Sequence, residues 1–231
     1  MKDSLKKASV THPTSMNTKK VLEIPSLHPT GKGYRIIFEP QQSSAHQNNI
    51  PKAEWKHFED FCVNIQEDPK KHLIALKQFY AQYPQIPEVA NLLTFALLKL
   101  KKIKEAEALI EKTYHTHPDH LTAKINYADQ CLRLRAKEMI PKIFTCFDLH
   151  TLYPQREYFY YSEFRGFMVL MGFYHLKIDK QEKAEEYYQL AFQVDPLHPS
   201  IAALEKELSK PYLLKKYWKK LQNLARISKK P

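Results

Sequence analysis

The segment FALLKLKKIKEAEALIEKTYHTHP at residues 95–118 is answered 78 positions later by FYHLKIDKQEKAEEYYQLAFQVDP at residues 173–196. Phe95, Leu98-Lys99, Lys102, Ala106-Glu107 and Pro118 correspond to Phe173, Leu176-Lys177, Lys180, Ala184-Glu185 and Pro196. Internal self-similarity of this length points to stacked structural units, since one such unit cannot bury its apolar face alone. Stacked helical pairs form extended binding surfaces.

Around the first segment, two helices are predicted. One runs from Pro87 to Leu100, with Ala90, Leu93, Leu97 and Leu100 at helical spacing on one face. After Lys101-Lys102 a second covers about 103–116. It turns Ile103, Ala106, Leu109, Ile110 and Thr113 inward and stops at Pro118, because proline cannot continue a helix. Thr94, Ala106 and Pro118 are spaced twelve and twelve, as are Gly172, Ala184 and Pro196. Small residues at the first two places let antiparallel helices approach closely, and Tyr188, one turn on, fills the gap to the next helix.

This spacing resembles the tetratricopeptide repeat (TPR), a helical hairpin of 34 residues. Gly172, Ala184, Tyr188, Ala191 and Pro196 fit the family pattern. The first copy matches through Ala106 and Pro118, with Thr94 where the family prefers glycine or alanine. A weaker unit spans 121–154, with Ala128 at the small position and Ile140-Pro141 where its second helix is predicted to start. An earlier half-match ends at Pro84 and contains two amphipathic stretches around Trp55-Cys62 and Leu73-Tyr80. Asp68-Pro69 supplies a cap and first turn between them. Between the second and third units, Tyr158-Phe159-Tyr160-Tyr161 is read as the start of the next helix and inter-repeat core, or else as an exposed aromatic anchor.

The whole chain has 231 residues and a net charge of +11, concentrated at its ends. Residues 1–33 hold six lysines against Asp3 and Glu23, and residues 211–231 hold six lysines and Arg226 with no acid. The remainder is neutral. Residues 1–50, rich in Ser, Thr, Asn, Gln and Lys, are expected to be mostly disordered. The exception is Gly33–Phe38, which has strong β character but no evident partner strand. Residues 198–209 read as a further helix through Ile201, Leu204 and Leu208. Residues 210–231 read as a basic amphipathic helix, with Leu214, Tyr217, Trp218, Leu221 and Leu224 opposite Lys215, Lys216, Lys219 and Lys220. Its apolar stripe suits a cap on the last repeat, and its lysines suit nucleic acid or an anionic lipid surface.

Cys62, Cys131 and Cys146 are widely spaced, with no CxxC, which fits buried thiols in a reducing compartment. No secretory leader pattern and no run of eighteen apolar residues occurs, so a cytoplasmic protein without a transmembrane segment is expected. No nucleotide-loop, hydrolase or metalloprotease motif is found, and His115, His117 and His120 match no zinc spacing. Neither an enzyme, a metal nor a cofactor is expected.

The resemblance implies an all-α, right-handed α-α superhelix over residues 51–209, with a capping C-terminal helix. It also implies a concave groove lined by the first helix of each hairpin. Carried onto this sequence, that groove comprises Asn91, Phe95, Leu98 and Lys99, then Ile125, Asp129, Leu132 and Arg133, then Val169, Phe173, Leu176 and Lys177. Lys99, Arg133 and Lys177 would form a basic ladder for a partner with apolar and acidic residues, unless they serve only the helix dipole. Phe95 and Asp129 stand where the family's carboxylate-clamp variant wants asparagine, so a clamp is not expected. The implied function is a protein–protein interaction scaffold, adaptor or chaperone for another polypeptide. Size and repeat number also resemble the TPR chaperones of bacterial type III secretion.

Overall fold

A computed structural model describes residues 21–26, 31–38 and 50–210. Helices α1 (Lys52–Glu67) and α2 (Pro69–Gln82) form a complete hairpin, not a half-unit. Helices α3 (Pro87–Lys99) and α4 (Ile103–Thr116) form the next, within a residue of the sequence expectation. Helix α5 (Leu121–Arg133) follows. Two single turns, α6 (Ile140–Ile143) and α7 (Leu149–Leu152), precede the last hairpin, α8 (Tyr161–Lys177) and α9 (Gln181–Val194). A final helix, α10, spans 199–210. Helices α1 to α5 pack in chain order and α8 packs on α9, while α1 also touches α3, α3 touches α5 and α5 lies directly against α8.

The breaks have local causes. Asp68 caps α2 by accepting from the Lys71 N–H at 3.1 Å, with Pro69 in the first turn. Helices α3, α5 and α8 all end the same way. Lys101, Arg135 and Asp179 adopt left-handed backbone, with φ of 58°, 64° and 58°. The next N–H reaches back to a carbonyl inside the helix: Lys102 to Leu97, Ala136 to Cys131 and Lys180 to His175, each at 2.9 Å. These are Schellman caps. The shared Leu–basic–Leu/Ile pattern is thus, first of all, a helix-ending signal.

The middle unit departs from expectation. The helix beginning near Pro141 lasts one turn, and Phe144 is extended. Phe144-Thr145-Cys146-Phe147 consists of weak helix formers, and the fully buried Phe144 is worth more in the core than in a helix. Asp148 then caps α7 by accepting from the Thr151 N–H at 2.8 Å.

The Gly33–Phe38 segment does find partners. Strand β2 (Tyr34–Ile37) pairs antiparallel with β1 (Val21–Ile24) and parallel with β3 (Phe159–Tyr160). Ile24, Tyr34 and Ile36 enter the largest core, beside Phe144, Leu149, Phe159 and Phe164. The Tyr34 hydroxyl donates to Asp148 Oδ1 at 2.6 Å, and its ring stacks on His150 at 4.8 Å. The hairpin therefore belongs to the solenoid core instead of a disordered tail. Phe159 is fully buried and Tyr158 is exposed, so the aromatic run splits between both readings.

Two packing expectations are corrected. Ile103 is exposed, unlike Ala106, Leu109, Ile110 and Thr113. A Cβ on Gly172 would lie 2.5 Å from Leu204 Cδ2, so the close approach there is to α10, not to the hairpin partner α9.

Candidate polypeptide-binding face

Helices α1 and α3, the first helices of two successive hairpins, and α5 share a cleft of about 420 Å³. Trp55, Phe58, Glu59, Cys62 and Val63 line it from α1, Glu88, Asn91, Leu92 and Phe95 from α3, and Thr122 from α5. Positions 55, 58 and 62 fall on one helical stripe, whereas Ile65 joins the core beneath. Phe58 holds the Trp55 ring at 5.2 Å and leans on Phe79 at 6.3 Å. Asn126 Nδ2 donates to Asn91 Oδ1 at 3.1 Å, tying α5 to α3. Val63 and Phe95 remain 63% and 39% exposed.

The cleft is mostly apolar, and Glu59, Glu88, Asn91 and Thr122 are the polar side chains that line it. The Trp55 indole N–H and the Thr122 hydroxyl are buried and have no hydrogen-bond partner among the described residues. Trp55 itself is only 9% exposed. Burial, with a smaller contribution from Glu59, pushes the Cys62 thiol up to about 11. It is therefore a neutral apolar wall, not a thiolate nucleophile.

Glu88 also lines a second cavity, of about 530 Å³. Asp119 and His120 line it from the α4–α5 turn, and Tyr153, Arg156, Glu157 and Tyr158 from the segment between α7 and β3. His120 is half-buried: Nδ1 accepts from the Ala123 N–H at 3.3 Å, and Nε2 lies 3.5 Å from Glu88 Oε1. Arg156 donates to Glu163 at 2.6 Å, and its guanidinium lies 4.7 Å from the Phe159 ring centre. The Tyr153 hydroxyl donates to the Asp119 carbonyl at 3.2 Å. Burial, opposed by Arg156, pushes that phenol up to about 12.

The sequence-derived groove residues divide three ways. Asn91 and Phe95 line the cleft, and Leu98 and Lys99 are exposed on the same helix, with the Lys99 ammonium 5.5 Å from the Phe95 ring centre. Leu132, with Ile125 and Val169, is buried in the core and not open to a groove. Asp129 and Arg133 pair at 3.0 Å, and Arg133 also approaches Glu107 at 3.5 Å, so the middle rung of the basic ladder is already neutralised. Phe173 and Leu176 are half-buried and Lys177 is exposed, but none of the three borders either cavity. Lys215, Lys216, Lys219 and Lys220 lie outside the described residues. Sequence reasoning missed the α1 wall. Its signal was Trp55-x-x-Phe58-x-x-x-Cys62, an aromatic stripe on a helix that the repeat alignment had treated as peripheral.

Fold and face together define a TPR-like helical-hairpin solenoid. No protein-family model matches the sequence, and no curated protein matches it. Among solved structures, PilF of Pseudomonas aeruginosa superposes with a TM-score of 0.50, at 17% identity, over 72% of this chain and 71% of that one. MamA of Desulfovibrio magneticus RS-1 gives 0.43 at 16% identity, over 76% and 96%. The likeness to PilF is one of fold. No helix among the described residues is long and apolar enough to cross a membrane.

Proposed function

We propose that this protein is an interaction scaffold, acting as an adaptor or chaperone, that holds a segment of another polypeptide against α1, α3 and α5. One observation carries the reading: an open apolar cleft flanked by the partly exposed Val63 and Phe95 on facing helices. Fully burying side chains of this size stabilises a complex by about 1.5–3 kcal/mol each. A helix or extended segment laid in such a groove uses apolar anchors of this kind.

The test uses the full chain as bait, with Phe95→Glu and with Val63→Glu. A polypeptide retained by the native chain should be lost by both variants and should tolerate added salt. Lys215, Lys216, Lys219 and Lys220, all changed to glutamine, should leave it bound. The opposite pattern, with binding lost in the lysine variant and on raising salt but kept by Phe95→Glu, would move the function to the basic end and to an anionic surface or nucleic acid.

A further inference from the structure

We infer that the segment held on this face carries an aromatic or large aliphatic anchor followed closely by lysine or arginine. The inference rests on the binding reading above and adds the chemistry of the partner.

The apolar cleft and the second cavity share Glu88 as a lining residue, and the character of the second is different. There, Asp119 and Glu157 are exposed, and neither forms an ion pair among the described residues. The guanidinium lining that cavity, Arg156, is already engaged by Glu163. It does not supply a free positive charge to cancel the other carboxylates. Tyr153 and Tyr158 border the same space, and Tyr158 is 42% exposed. Carboxylates beside aromatic rings make a site for a lysine or arginine head group, through charge and through the ring faces. An acidic segment would meet repulsion in the same place.

Because the two cavities share Glu88, the anchor and the basic residue lie close together in the partner's sequence. This reverses the earlier expectation of an acidic partner gripped by Lys99, Arg133 and Lys177. Asp119 and Glu157, which form no ion pair among the described residues, give the second cavity its negative charge.

The experiment is a selection of random displayed 12-residue peptides on the immobilised full chain, followed by fluorescence-anisotropy titration of the enriched sequences. The variants are Asp119→Lys with Glu157→Lys, both exposed positions, and Phe95→Glu, with thermal melts to show that each is folded. Enriched peptides should combine Phe, Tyr, Trp or Leu with Lys or Arg. Their affinity should fall at least tenfold in the charge-reversed variant and be lost in Phe95→Glu. Enrichment of neutral or acidic peptides would overturn the inference, as would equal binding by the charge-reversed variant. In either case loss in Phe95→Glu would leave the apolar-groove reading intact. Failure to enrich any peptide would overturn both.

Discussion

Replacing Gly172 by alanine tests how the stack is closed. The added Cβ would sit 2.5 Å from Leu204 Cδ2 and 3.1 Å from Cδ1, against an ordinary carbon–carbon contact of about 3.5–4.0 Å. Leu204 is fully buried, so its side chain or α10 as a whole has to move by about 1 Å. Overpacking of this kind costs about 1–3 kcal/mol. Leu204→Ala alone should cost about 2–5 kcal/mol, because it empties a buried site. The two changes should not add: with Leu204 shortened, the new methyl has room, and the double variant should be no less stable than Leu204→Ala. The coupling energy is then about 1–3 kcal/mol in magnitude. Urea denaturation gives the global value, and amide hydrogen exchange across 199–210 reads α10 locally. The latter matters because stacked repeats can open one end at a time. A Gly172→Ala protein within 0.5 kcal/mol of the parent, or strictly additive costs, would refute the packing argument.

Three further outcomes follow from the structure. Arg135→Gly should stabilise by about 0.5–1 kcal/mol, because left-handed backbone strains an arginine and suits a glycine. That corresponds to a rise of about 1–4 °C in melting temperature, and a fall would contradict the cap assignment. Tyr34→Phe should cost about 1–2 kcal/mol. Burial alone would raise the Asp148 carboxyl, but hydrogen bonds from Tyr34 and Thr151 outweigh it and hold the carboxyl below its usual range. The same variant should therefore move the Asp148 titration upward by NMR. Burial, aided by Lys180 and Lys183 and opposed by the Met171 carbonyl and Glu186, holds the His175 imidazole below the usual histidine range. The unfolded chain protonates it first, near pH 6.5. Its contribution is thus complete above that pH and is lost as pH falls through the lower folded value. The urea midpoint should drop between pH 7 and pH 5, less so in His175→Gln.

The hairpins at 87–116 and 161–194 were readable because their signals are local. Apolar spacing, Pro87, Pro118 and the Leu–basic–Leu/Ile ends each act within a turn of the chain. The sheet was not readable in the same way. Strand β2 shows its β character in Tyr34-Arg35-Ile36-Ile37, but its parallel partner lies at Phe159-Tyr160, and no local pattern announces so distant a pairing. The middle unit misled because Pro141 suits a first helical turn, while the aromatic and β-branched residues after it favour burial over helix. The candidate face was half legible. Asn91 and Phe95 came from the repeat alignment. The α1 wall comes from a degenerate first unit and Glu157 from an insert, which a repeat template cannot place, and Asp119 lies in the α4–α5 turn, outside the helices that the groove was drawn from. Arg133 shows the converse: spacing put it on the exposed side, but its neighbours Asp129 and Glu107 were needed to see that its charge is already matched.

The central claim is that a polypeptide lies between α1 and α3, and photo-crosslinking tests it most directly. With p-benzoyl-phenylalanine in place of Phe95, in the cleft, the full chain should crosslink to peptides selected on it. With the same group in place of Ile74, 73% exposed on α2 and outside both cavities, it should not. Equal yields at the two positions, or crosslinks from position 74 alone, would contradict the claim.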